Sequence, residues 1–144
     1  MVVVGGNAVG LEQAQLFARL GTRITVIEAR ERLAPFDDPA LSAAPEQNLA
    51  AEGMTIHTGA TLTRLDRDGE QVRATATIAD ASVNWTAEHV LVATGRRPVT
   101  AGLDLDTVGV KTGPVGEVIV DKYLRTSNNR IWAAGDVTGG PQFV

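Results

Sequence analysis

The stretch "VVVGGNAVGLE", residues 2–12, decides how the chain is read. Val2 to Val4 form a short, continuous apolar run that stops at Gly5-Gly6, the pattern of a strand buried on both faces. From Val9 onward the period changes. Leu11, Ala14, Phe17, Ala18 and Leu20 recur at helical spacing, with Glu12, Gln13, Gln15 and Arg19 mainly on the opposite side. Gly21 is the residue type that ends helices. "TRITVIE" (22–28), rich in β-branched residues, then reads as a second strand. Strand, helix and strand in this length make a βαβ unit with parallel strands.

The reading extends outward from that unit. "DDPALSAAPEQNLAAEG" (37–53) predicts a second helix, with Asp38 as N-cap, Pro39 at the first helical position and Gly53 as the stop. Pro45 should kink or split it, because proline removes a backbone donor and crowds the preceding turn. "MTIHT" (54–58) is a third strand. "ATLTRLDRDGEQVRATATI" (60–78) alternates apolar and polar residues around Asp68-Gly69, a hairpin signal. "SVNWTAEH" (82–89) adds a third antiparallel strand, and "VLVATG" (90–95) returns to the parallel sheet. Beyond Pro98 a Gly- and Pro-rich crossing loop runs to Gly116. "EVIVD" (117–121) and "NRIWAAGD" (129–136) read as strands, the latter entering a glycine turn. The fold class expected is α/β, a Rossmann-like domain over 1–98 with an antiparallel meander insert, then a distinct segment over 99–144.

Bulk properties exclude several function classes. The 144 residues are 44% apolar with a net charge of −4, which does not fit a nucleic-acid footprint. No basic amphipathic stretch or long apolar run points to a membrane. The start lacks the marks of a signal peptide, so the cytoplasm is the expected compartment. With no cysteine, the chain has no disulfide, thiolate metal site or cysteine nucleophile of its own. Two isolated histidines, His57 and His89, make no metal site and read as surface or capping residues. Asp37-Asp38 and Asp104/Asp106 read as cap and loop acids, and Trp85 and Trp132 as packing residues.

Gly5, Gly6, Asn7, Ala8, Val9 and Gly10 occupy the positions of a G-x-G-x-x-G dinucleotide fingerprint, between a strand and a helix. The first glycine permits the turn, the second lets pyrophosphate approach the backbone, and the third lets helix and sheet pack closely. Here Asn7 replaces the second glycine, and asparagine tolerates positive φ better than most residues. Glu28 ends the second strand 23 residues after Gly5, near the spacing of roughly 20 for the acid that accepts ribose hydroxyls. A carboxylate there repels a 2′-phosphate and favours NADH, while Arg30 and Arg32 keep NADPH open.

"GGNAVGLEQAQLFARLG" (5–21), "VLVATGRRP" (90–98) and "RTSNNRIWAAGDVT" (125–138) resemble, in this order, the signatures of the flavin-dependent pyridine nucleotide–disulfide oxidoreductases. That family includes dihydrolipoamide dehydrogenase, glutathione reductase and mercuric reductase; the closing "GGPQFV" is most similar to the mercuric reductase branch. The resemblance implies an NAD(P)H-binding domain inserted into a discontinuous FAD domain, with the last segment returning to FAD. It further implies that Gly95 lets the nicotinamide dinucleotide approach, that Leu62 touches adenine, and that Glu12 contacts the nicotinamide carboxamide. The alternative for Glu12 is an exposed first-turn carboxylate favoured by the helix dipole. By the same resemblance Asp136 bonds the FAD ribityl chain and Val144 lies near the flavin. Ala8 stands where glutathione reductase-like members carry a gating tyrosine, which implies a more open nicotinamide pocket. The family's redox cysteines, acid–base histidine and dimerisation domain are expected in segments outside these residues. The parent is thus expected to be a homodimeric oxidoreductase passing a hydride from NAD(P)H to FAD and electrons to a disulfide or Hg(II), and the isolated chain to be inactive. The alternatives are an NADH peroxidase, an oxidase or a flavin monooxygenase, and a stand-alone dinucleotide-binding sensor. An exposed apolar patch is expected where the remaining FAD domain docks.

Overall fold

A computed structural model describes the backbone of residues 1–34 and 39–140, with side chains in the second stretch from residue 45. Asp37, Asp38 and Val144 therefore lie outside the described residues. The chain divides into two compact units, Met1–Gly95 and a second from Arg96 onward.

In the first unit, strands β1 (Val2–Val4), β2 (Thr25–Ile27), β3 (Thr55–His57) and β7 (Val90–Val92) form a parallel sheet in the order β3-β2-β1-β7. Helices α1 (Ala8–Arg19) and α2 (Pro39–Ala51) connect the first three strands. Between β3 and β7 the chain makes an antiparallel sheet of β4 (Ala60–Asp68), β5 (Gln71–Ile78) and β6 (Ala81–Ala87). This is the α/β architecture with a meander that the sequence pattern predicts.

Alternation along β1 explains how the layers stack. Val3 joins Ala14 of α1, Val26, Leu33, Leu49 of α2 and Met54 in one buried cluster. Val2 and Val4 point the other way, into a second cluster with Ile27, Ala60, Ala74 and Ala76. The parallel sheet is thus covered by helices on one face and by the meander on the other, which is why its strands read as unbroken apolar runs. Alanines at 74 and 76, both fully buried, let the meander lie close, with Leu62, Ile78 and Trp85 around them. The Trp85 ring also meets His57, centroids 4.9 Å apart.

Several expectations need correction. The strands β2 and β3 are three residues each, shorter than their apolar runs. On α1, Ala14 is buried and Leu11 and Ala18 pack against the core, but Phe17 and Leu20 do not join it; Leu20, the helix C-cap, is 72% exposed. Gly21 does end the helix, at φ +92. Pro45 does not split α2, which runs as a single helix to Ala51. The C-terminal turns beyond it are held by the Glu52 N–H on the Asn48 carbonyl and by buried Leu49. Gln15 and Arg19 of α1 also bond the Glu52 carboxylate, and the Arg19 guanidinium holds it below the usual carboxylate range.

The first hairpin turn is centred on Gly69-Glu70 rather than Asp68-Gly69, since Asp68 and Gln71 are paired. A bulge at Thr63 shifts the register between Leu62 and Arg64.

The second unit lacks the two strands expected over 117–121 and 129–136. Among the described residues, each segment makes one isolated bridge, Thr112 to Val118 and Arg125 to Trp132. Tight turns flank the Arg125–Trp132 bridge. Leu124 sits at φ +61, and the Thr126 hydroxyl takes up the Ile131 carbonyl and the Asn128 N–H. The Asp121 carboxylate accepts the N–H groups of Arg125 and Tyr123, and these bonds hold it below the usual range. Trp132 is 57% exposed here and is not a packing residue within this chain. Short 3-10 turns cover Leu105–Val108 and Gly135–Thr138. Among the described residues no helix is long and apolar enough to cross a membrane.

The β5–β6 hairpin carries a testable strain. Its two loop residues, Ala79 and Asp80, both have positive φ, +46 and +66. That geometry matches a type I′ turn, whose preferred residues are Asn-Gly, and a side chain at positive φ costs about 1 kcal/mol or more. The double substitution Ala79→Asn, Asp80→Gly is expected to raise unfolding free energy by about 1 kcal/mol in urea titration. An unchanged or lower midpoint would count against the strain.

Candidate functional site

The site forms where β1 ends and α1 begins. Gly5 extends the ladder, its N–H on the Ile27 carbonyl at 2.8 Å, and turns the chain with φ +110. A Cβ there would overlap the Ala93 carbonyl just past β7. A Cβ on Gly10 would overlap the Gly5 carbonyl oxygen. A Cβ on Gly6 would stand 2.6 Å from the Leu33 side chain. Gly5 and Gly10 are therefore demanded by close approach to backbone, while a Cβ at Gly6 would require the Leu33 side chain to shift.

Asn7 behaves differently from expectation. Its backbone is extended, φ −84 and ψ 176, so tolerance of positive φ plays no part. It is the N-cap of α1: its Oδ1 accepts the Gly10 N–H at 3.1 Å, while its Nδ2 donates to the Ala93 carbonyl at 2.5 Å. The second fingerprint position thus carries a helix cap, a use of asparagine that its place just before a helix signals. Among the described residues, no acceptor meets the N–H groups of Asn7, Ala8 and Val9. Three donors converge at the positive end of the helix dipole, with Ala8 and Val9 exposed.

Glu28 is neither solvated nor free. It is 8% exposed, the one buried charged side chain among the described residues. Its Oε2 accepts the Gly6 N–H at 2.6 Å and its Oε1 the Arg30 N–H at 2.8 Å. Each carboxylate oxygen retains further acceptor capacity. The Ala34 N–H returns to the Gly6 carbonyl at 2.7 Å, closing the loop over the turn, and Leu33 beneath it is fully buried.

The structure brings Gly5, Gly6, Asn7, Gly10 and Glu28 into one site and adds Leu33, Ala34 and Ala93. The Ala93 contribution is a carbonyl, which no side-chain pattern reveals. Gly95 follows at φ +123, with open space where a Cβ would lie. Glu12 is exposed at the fifth helical position, so the first-turn reading of it fails. Leu62 is half-buried on β4 against the second cluster. Asp136 belongs to the second unit, where its carboxylate accepts from Arg96 at 3.2 Å. Among the described residues no group of three His, Asp or Glu side chains is placed to hold a metal ion.

A close-packed glycine turn, three open amides on a helix N-terminus and an acid at the neighbouring strand end have the chemistry to receive an anion and hydroxyl donors. Comparison with known proteins decides the family, because its model, described as pyridine nucleotide-disulphide oxidoreductase, matches residues 1–144. The chain belongs to the pyridine nucleotide–disulphide oxidoreductases. It is 56% identical to a mercuric reductase of Streptomyces lividans, covering all of this chain and 30% of that protein. It is 37% identical to a dihydrolipoyl dehydrogenase of Bacillus subtilis, covering all of this chain and 31% of that one. Among solved structures, the HOCl-induced flavoprotein disulfide reductase RclA of Escherichia coli matches with a TM-score of 0.85 and 33% identity, over 99% of this chain and 32% of that chain. The chain therefore spans about a third, or less, of these relatives.

Because both Glu28 oxygens hold backbone N–H groups, Glu28→Gln puts an amide N–H against one of them. The expected cost is about 1–3 kcal/mol of stability, read from urea denaturation. A variant as stable as the parent would show that these bonds contribute nothing net.

Proposed function

We propose that the first unit is the NAD(P)H-binding part of an FAD-dependent reductase, and that the segment from Arg96 onward belongs to its FAD-binding domain. The observation that carries the reading is the set of Asn7, Ala8 and Val9 N–H groups, unpaired among the described residues, one strand away from Glu28. These donors and the helix dipole suit a pyrophosphate, and the remaining lone pairs of Glu28 suit ribose hydroxyls. The sheet order supports the placement: the chain runs from β1 to β2 and β3 on one side and returns to β7 on the other. Ligands of open α/β sheets bind at the carboxyl ends of the strands at such a switch point.

In this proposal Gly5, Gly6, Gly10 and Gly95 admit the dinucleotide backbone, Ala8 leaves the nicotinamide pocket open, and Leu62 and Glu12 lie along the ligand. Asp136 serves the FAD side. When bound, the nicotinamide supplies a hydride and the flavin relays its electrons onward to a disulfide or, as the names of the mercuric reductase relatives suggest, to Hg(II). The residues of this chain bind and orient. The buried Glu28 carboxylate disfavours a 2′-phosphate by like-charge repulsion, so NADH is the preferred nucleotide.

Calorimetric titration of this chain tests the reading. Saturable NADH binding, tighter than NADPH and lost in Gly10→Val, is the expected result. Absence of binding for both nucleotides, or unchanged NADH affinity in Gly10→Val, would overturn it.

A further inference from the structure

The fingerprint position that departs from glycine is the one whose side chain reaches furthest. Asn7 Oδ1 caps α1 through Gly10, and Asn7 Nδ2 holds the Ala93 carbonyl at 2.5 Å. Ala93 opens the loop that leads through Thr94 to Gly95, and its own N–H is fixed on the Val4 carbonyl at 2.7 Å. One side chain therefore ties the pyrophosphate turn after β1 to the loop after β7, across the gap between the two strands where the topology switches.

We propose that Asn7 is a positioning residue for the nicotinamide half of the dinucleotide. This rests on the nucleotide reading above. Glu28, at the end of β2, marks the adenosine side of the site, so the ligand's other half extends past β1 toward the end of β7. The three open amides that face the pyrophosphate are backbone groups of the turn itself, and a cap of any suitable type keeps them. Only the Nδ2 arm reaches the β7 loop. A glycine at position 7 matches the fingerprint better, yet it removes both arms, so it is expected to bind NADH more weakly than asparagine does.

The test separates the two arms. Asn7→Ser keeps a side-chain oxygen that caps helices but has no amide to reach Ala93. NADH and ADP-ribose, which lacks the nicotinamide, are titrated into wild-type chain, Asn7→Ser and Asn7→Gly, with thermal unfolding recorded for each. Loss of one neutral hydrogen bond corresponds to a weakening of about three- to tenfold. Asn7→Ser is expected to lose that much affinity for NADH and to stay within about twofold for ADP-ribose, with thermal unfolding showing a folded chain of modestly lowered stability. A merely structural role would lower both affinities together and leave their ratio unchanged. Equal losses, no loss, or tighter NADH binding in Asn7→Gly would overturn the proposal while leaving the dinucleotide reading intact. If wild-type chain binds neither ligand, the dinucleotide reading fails and the proposal falls with it.

Discussion

How closely α1 approaches the end of β1 governs the rest of the first unit. The Gly10 backbone rests on the Gly5 carbonyl with no room for a methyl group. That approach sets the start of α1 at the end of β1, an inner strand, and it brings Asn7 within reach of Ala93. It also leaves the Gly6 N–H facing β2, where a buried polar group must find a partner. Glu28 supplies it, and the same carboxylate gathers the Arg30 N–H. Packing, backbone satisfaction and the placing of a charge are here one constraint met several times.

The constraint accounts for a buried acid that would otherwise be costly. A carboxylate taken out of water needs donors, and Glu28 has two backbone N–H groups from two different turns. The turn is therefore held by contacts within the chain itself.

Much of this was legible in the sequence where local pattern and tertiary demand agree. Val2–Val4 is apolar throughout because both faces of β1 are covered, and Gly21 ends α1 because the chain there needs positive φ. The meander showed itself by alternation. What stayed hidden depended on partners that a one-dimensional pattern does not show. Phe17 and Leu20 keep helical spacing yet miss the core: Phe17 lies beside the face that Ala14 and Ala18 turn inward, and Leu20 is already the helix C-cap. Pro45 is tolerated because Leu49 anchors the helix beyond it. In the second unit, Val118 and Trp132 have strand-forming side chains but each makes only a single bridge. Strand propensity is a preference for a paired surface, and it yields no ladder where turns interrupt the pairing. Val99, Ile119, Tyr123 and Trp132 remain exposed there. At the site, the glycines were readable, but the dual role of Asn7 was not, since one of its partners is a carbonyl 86 residues away.

The central claim is that the turn between β1 and α1 receives the dinucleotide phosphates through its own open amides. Backbone amide chemical shifts of the labelled chain, followed by NMR during NADH titration, test it most directly. The account predicts the largest changes at Asn7, Ala8 and Val9. Gly6 should move less, because its N–H is already committed to Glu28. Changes confined to other loops, with the three turn amides unmoved at saturation, would contradict it.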